Sequence, residues 1–231
     1  MRILRKWSAR RRGMAGGRRR LCAALLMVTM AAVPGFAPAA TVPATILVLG
    51  DSLSAGYGLP TGRGWVDLLT EQMARRQPAF KVINASISGE TTFGGRERLP
   101  RLLGEHRPAV VVLALGANDG LRGTELALTR DNLERMVAAC RAAGARVLVV
   151  GMRIPPNYGP AYTAAFFDMF AHVARAAPAA HVPFLLEGIA ERRDMFQDDG
   201  IHPVAAAQPR LLANVMPALE PLLAPRGRRR P

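Results

Sequence analysis

Cysteine is almost missing from this chain, with two in 231 residues. Cys22 lies in a front segment expected to be removed, which leaves Cys140 alone. A single cysteine closes no internal disulfide, so a disulfide-stapled scaffold is excluded. Cys140 falls in Val137-Ala138-Ala139-Cys140, on the apolar face of an expected helix, and reads as a small core residue. Acidic residues are missing from both ends. Nine of the 31 Lys and Arg lie in residues 1–40 and four in residues 224–231, leaving 18 against all 17 Asp and Glu in the body. The formal charge of +14 therefore belongs to the ends. It is no sign of a nucleic-acid surface, which needs basic groups clustered on the folded body. A long apolar run is also missing. The longest, Leu21 to Val33, has 13 residues, whereas a membrane-spanning helix needs about 20.

That short run has another reading. Arg18-Arg19-Arg20 precedes it and Ala37-Pro38-Ala39 follows, the small–x–small pattern of a signal-peptidase site. Residues 1–40 are expected to be a cleaved signal peptide, cut near Ala39 or Ala40, with Met14 a possible true start. Arg11-Arg12 matches a twin-arginine signal poorly. The expected organisation is a leader over 1–40, one domain over 41–224 and a disordered basic tail over 225–231. The expected location is periplasmic or secreted, without a stable membrane anchor.

The body alternates between two kinds of segment. Thr45–Leu49, Lys81–Ala85, Ala109–Leu115, Arg146–Val150 and Val182–Leu186 are short, apolar and rich in β-branched residues, as strands buried on both faces are. Between them the apolar residues recur at helical spacing, as in Trp65, Leu68, Leu69 and Met73, or Tyr162, Phe166, Met169, Phe170 and Val173. The third helix is expected to begin near Asp131, with Glu134 completing a capping box, and to stop at Gly144. The last is expected to open at Pro203 and run towards Leu223, bent or delayed by Pro209. Alternating strand and helix predicts an α/β fold, a flavodoxin-like three-layer α/β/α sandwich. Its five-stranded, mainly parallel sheet is expected in the order 2-1-3-4-5. In that order the switch point lies beside the end of strand 1, where open sheets bind ligands.

Strand 1 ends in Gly50-Asp51-Ser52, strand 2 in Asn84-Ala85-Ser86-Ile87-Ser88-Gly89, and strand 3 in Gly116-Ala117-Asn118-Asp119. Each is an ordinary polar turn by itself, but together they line one edge of one sheet. Far along the chain, Asp199-Gly200-Ile201-His202-Pro203 places a carboxylate three residues before one of only four histidines. A serine hydroxyl becomes a competent nucleophile when a base takes its proton, and the base works best when a third group orients it. Ser52, His202 and Asp199 can fill those roles. The Ser52 and Gly89 N–H groups and the Asn118 side chain can donate to an oxyanion.

These blocks, in this order, resemble those of the SGNH (GDSL-type) hydrolase family. The resemblance covers about residues 44–222 and extends to the bacterial subgroup of multifunctional thioesterase I, lysophospholipase and arylesterase enzymes, through Asn118 to Gly123, Pro156-Asn157-Tyr158-Gly159 and Gln197 to Pro203. It implies Ser52 as nucleophile, His202 as base and then acid, Asp199 as orienting group, and Ser52, Gly89 and Asn118 as oxyanion hole. It also implies a loop from Asp119 to Gly123, including Leu121, that moves on ligand binding, and Ile154 beside an acyl groove. The expected protein is an exported ester or thioester hydrolase acting on aryl esters, lysophospholipids or acyl thioesters through an acyl-enzyme. No cofactor, metal, nucleic acid or oligomer is implied. Two other readings are a carbohydrate O-deacetylase of the same family and a non-catalytic flavodoxin-like module binding lipid or flavin. The segment Gly58-Leu59-Pro60-Thr61-Gly62 has no close match in the family pattern.

Overall fold

The computed structural model describes residues 43–76 and 79–224. The expected leader, the Met14 start, the cleavage point and the basic tail lie outside the described residues. Five strands form one parallel sheet: β1 (Ala44–Gly50), β2 (Phe80–Asn84), β3 (Val110–Ala114), β4 (Arg146–Val150) and β5 (Ala180–Val182), in the order β2-β1-β3-β4-β5. The expected fold and strand order are the observed ones.

Alternation explains the layers. Successive side chains of a strand point to opposite faces. Ile46 and Val48 therefore pack on one face with Trp65, Leu69 and Met73 of α2 (Trp65–Ala74) and Leu211, Val215 and Leu219 of α7 (Gln208–Leu219). Leu47 and Leu49 pack on the other face, with Leu99, Leu102 and Leu103 of α3 (Thr92–His106), Leu133 and Met136 of α5 (Leu126–Ala142), and Phe166 and Phe170 of α6 (Pro160–Ala176). Ile46 to Leu49 are all fully buried, which is why β1 reads as an unbroken apolar run. Cys140 lies in the second cluster, and burial pushes its thiol up to about 12.

Three expectations need correction. The fifth strand lies earlier than Val182–Leu186. Pro183 has no N–H to extend the ladder, and Leu185 and Leu186 are buried in the turn beyond it. The third long helix starts at Leu126, with Glu125 as its N-cap residue, not near Asp131. Asp131 lies inside it and pairs with Arg135 at 2.7 Å, so the Asp-x-x-Glu spacing marked an exposed helical face and not a cap. Pro203 does not open the last helix. It bridges antiparallel to Phe196, a 3-10 turn follows at Ala205–Ala207, and α7 begins at Gln208. Pro209 sits in its first turn, where a missing N–H leaves no helical bond unmade.

Two short helices replace what read as plain turns. They are α1 (Ser52–Ala55) and α4 (Ala117–Leu121), each directly after the carboxyl end of a central strand. Gly50 pairs with Ala114 in the β1–β3 register, so α1 and α4 start side by side.

Candidate active site

Asp51 sets the position of Ser52. It is the N-cap of α1, and its Oδ1 accepts from the Leu53 N–H at 3.0 Å. The adjoining N–H groups of Ser54 and Ala55 donate to the Asp51 carbonyl. Ser52 is thus held on the first turn at the end of β1, half-buried, and its own N–H has no acceptor among the described residues. Asp51 is 2% exposed, and burial pushes its carboxyl from 3.8 to about 6, against the lowering effects of the Leu53 N–H and the charge on His202.

The second strand-end loop is joined to the first. The Asn84 side chain donates to the Ser54 carbonyl at 2.8 Å, and the Ile87 N–H donates to the Gly50 carbonyl at 3.1 Å. Gly89 follows with φ +79°, a conformation that favours glycine. The Gly89 N–H has no acceptor among the described residues, while its carbonyl accepts from Arg122 at 3.0 Å. On α4, one N–H of the Asn118 amide donates to the Glu90 carbonyl at 3.0 Å, which aims the amide and leaves its second N–H. Asp119, beside it, is buried and accepts from the Thr92 N–H at 2.9 Å and the Thr92 hydroxyl at 2.5 Å. Thr92 also accepts from Asn132, whose carbonyl oxygen takes a bond from Arg96. Asn118 and the start of α3 are thereby locked to one another.

From the far end of the chain, His202 reaches Ser52. Its Nε2 lies 2.9 Å from Ser52 Oγ and its Nδ1 lies 2.7 Å from Asp199 Oδ2. The other Asp199 oxygen accepts from the Ile201 and His202 N–H groups at 2.8 and 3.0 Å. Those backbone bonds, with the imidazole, hold the Asp199 carboxyl well below its ordinary value, at about 2. A carboxylate ionised across the working range favours the tautomer with the proton on Nδ1, leaving Nε2 free to accept from a hydroxyl.

The turn bearing this pair is braced from three sides. Tyr57 lays its ring against the imidazole, centroids 4.5 Å apart at 41°. Gln197 donates from its side-chain amide to the carbonyls of Tyr57 (2.9 Å) and Pro203 (3.3 Å). Gln208, 1% exposed, accepts from the Trp65 N–H and donates to the carbonyls of Pro203 and Val204. A shallow cleft beside Ser52 is lined by Leu53, Gly56, Tyr57, Leu59, His202 and Pro203. Of the unmatched stretch Gly58 to Gly62, Leu59 lines this cleft.

The structure brings Ser52, His202 and Asp199 into one hydrogen-bonded relay, and the loops of Gly89 and Asn118 flank it. Ile154 is buried and, with the partly buried Leu121, packs on the α5–α6 side of the sheet. The Tyr158 hydroxyl donates to the Leu121 carbonyl at 2.8 Å. The sequence assigned no role to Asp51, Gln197, Gln208 or Tyr57, and it placed Asp119 only in a loop expected to move on ligand binding. Gln197 opens the block Gln197 to Pro203, and Asp51 and Asp119 adjoin Ser52 and Asn118, so proximity to the motifs was the available signal. Among the described residues, no group of three or more His, Cys, Asp or Glu could hold a metal ion.

Comparison with known proteins adds an independent line. Residues 48–208 match the model of the GDSL-like Lipase/Acylhydrolase family. The chain is 50% identical over 202 residues to "Esterase TesA" of Pseudomonas aeruginosa, covering 87% of this chain and 96% of that one. It is 40% identical over 179 residues to "Thioesterase 1/protease 1/lysophospholipase L1" of Escherichia coli K12, covering 78% and 85%. Among solved structures it superposes with TM-score 0.74 and 40% identity on the psychrotrophic esterase EstA from Pseudoalteromonas sp., described as inhibited by monoethylphosphonate, covering 78% of this chain and 98% of that one.

Proposed function

This chain belongs to the GDSL-like lipase/acylhydrolase family and is an ester hydrolase, and from that premise we propose that Ser52 is its nucleophile in a two-step acyl transfer. The observation that carries the reading is the relay Ser52 Oγ to His202 Nε2 at 2.9 Å and His202 Nδ1 to Asp199 Oδ2 at 2.7 Å.

Ser52 Oγ attacks the ester carbonyl while His202 Nε2 takes the hydroxyl proton. The carbonyl π pair moves to oxygen, and the Ser52 and Gly89 N–H groups with the free N–H of Asn118 donate to that oxyanion. Losing one such donor typically costs about 2.7–4 kcal/mol of barrier. His202 then passes its proton to the leaving oxygen or sulfur as the carbon–heteroatom bond breaks. Water repeats the sequence on the acyl-enzyme and frees Ser52. Asp199 stays ionised throughout and stabilises the imidazolium. No step requires a metal or organic cofactor.

The substrate class proposed is acyl esters, including aryl esters, lysophospholipids and acyl thioesters, in keeping with what the relatives are named for. Leu121 and Ile154, packed on the same side of the sheet beyond the relay, are proposed to border the acyl chain. Export is proposed on the leader-like residues 1–40, which places the enzyme in the periplasm or outside the cell. Among the described residues no helix is long and apolar enough to cross a membrane.

A fluorophosphonate probe tests the nucleophile. The wild-type chain takes one label and loses esterase activity, and Ser52→Ala takes none. Labelling that persists in Ser52→Ala overturns the assignment.

A further inference from the structure

Arg193 lies six residues before Asp199 in sequence, in a 3-10 turn at Arg193–Met195. Its guanidinium donates to three successive backbone carbonyls. Nη1 reaches Phe196 O at 3.2 Å and Gln197 O at 2.6 Å, and Nη2 reaches Asp198 O at 2.9 Å. No carboxylate makes a salt bridge with it among the described residues, so these carbonyl dipoles are its partners. Three consecutive peptide oxygens converge on one guanidinium, whose rigid fork of donors can reach several acceptors at once.

The residue that follows those three is Asp199. Its side chain is 39% exposed, and its turn is closed by the Gly200 N–H to Gln197 O bond at 2.9 Å, the Gln197 N–H to His202 O bond at 2.8 Å and the Ile201 and His202 N–H bonds to Asp199 Oδ1. None of those bonds fixes the Phe196 and Asp198 carbonyls, which among the described residues accept from Arg193 alone, so without it the peptides ahead of the carboxylate are free to shift against the 2.7 Å bond to His202. A misplacement of about 1 Å at a catalytic constellation lowers rates by about 10²-fold. Arg193 removes that freedom by fixing the three peptides immediately before Asp199. Gln197 is held at the same point from its other side, because its carbonyl takes the shortest Arg193 bond while its amide reaches across to the nucleophile's loop at Tyr57.

We propose that Arg193 is a positioning residue for the hydrolysis, acting through Asp199 by clamping the peptides that aim its carboxylate at His202. The proposal rests on the reading of Asp199 as the orienting group, and a double-mutant cycle keeps the two apart. Asp199→Asn alone tests that reading, and a large fall in kcat with KM little changed supports it. Arg193→Met keeps the length of the side chain and removes every donor. It is expected to lower kcat by about 10- to 100-fold with KM changed less than about threefold. In the Asp199→Asn background the same substitution is expected to lower kcat by less than about threefold further, because the group it positions is already disabled. A full repeat of the Arg193→Met loss in that background overturns the proposal, since Arg193 would then act on something other than Asp199. An Arg193→Met enzyme with unaltered kcat also overturns it. Should Arg193→Met not fold, as read by thermal unfolding, Arg193→Lys carries the same cycle with one point donor retained. Its kcat is expected between wild type and the Met variant's predicted loss, and wild-type kcat in Arg193→Lys overturns the requirement for the forked guanidinium.

Discussion

Asp51 shows how one side chain can serve position at the expense of stability. As N-cap it fixes the turn that carries Ser52, and Asn would cap as well. Its carboxyl, however, is buried and pushed to about 6. Below about pH 3.8 the folded and unfolded chains both keep the proton, so ionisation contributes nothing. Between 3.8 and about 6 the unfolded chain has lost its proton while the folded chain holds it, so stability falls as pH rises through that window and the penalty is complete above it. Asp51→Asn keeps the acceptor for the Leu53 N–H and removes the ionisation. We expect it to stabilise the protein at pH 8 by about 1–3 kcal/mol, raising Tm by about 2–4 °C per kcal/mol, and to leave stability at pH 3.5 nearly unchanged. Thermal unfolding at the two pH values checks this, and an equal gain at both would trace the effect to packing.

At the scale of elements, the site depends on how closely α3 approaches the end of β3. Gly95 lies in the second turn of α3, and a Cβ there would run into the Leu115 side chain, with Met136 Sδ 3.6 Å away and Leu49 Cδ2 3.7 Å away. Alanine is better than glycine in a helix by about 1 kcal/mol, but overpacking a filled core costs about 1–3 kcal/mol. Leu115 is 3% exposed and cannot swing aside, so packing wins. Gly95→Ala is expected to destabilise by about 1–2 kcal/mol and to lower kcat by shifting Thr92 and the Asn118 network. Gly104, on the exposed side of the same helix with nothing within 4 Å, should instead gain about 0.5–1 kcal/mol on becoming Ala. Denaturant titration of both variants gives opposite signs if approach, and not helix propensity, governs α3. This element also marks what the sequence could and could not tell. Strands β1, β3 and β4 were legible because burial on both faces leaves an unbroken apolar run. β5 was misplaced because Leu185 and Leu186 are equally buried outside the ladder, and apolarity reports burial and not pairing. The start of α5 was missed because its N-cap residue, Glu125, makes no side-chain capping bond, while Asp131 and Glu134 offered a false cap.

For the whole molecule, β1 is the shared partition between two cores. Ile46 and Val48 belong to one and Leu47 and Leu49 to the other, so neither core can open widely without exposing the strand that carries Ser52. The same architecture explains why the candidate site was partly readable. Three of its loops end adjacent parallel strands, so topology assembles them once the strand order is known. Asp199 and His202 stood out through their rarity and spacing. The braces around them were invisible. Arg193 and Gln197 act on backbone carbonyls, and backbone acceptors leave no residue-type signature in a sequence. Cys140 gives a means of testing the shared partition. It is fully buried in the core behind Leu47 and Leu49, with its thiol pushed up to about 12, so Cys140 of the native protein should resist thiol reagents at pH 8. In increasing urea, Cys140 alkylation and loss of esterase activity should follow one transition with one midpoint, because both report the same cooperative unit. Protein that is alkylated at Cys140 yet still active would mean that α5 opens separately, and the two cores would then be independent.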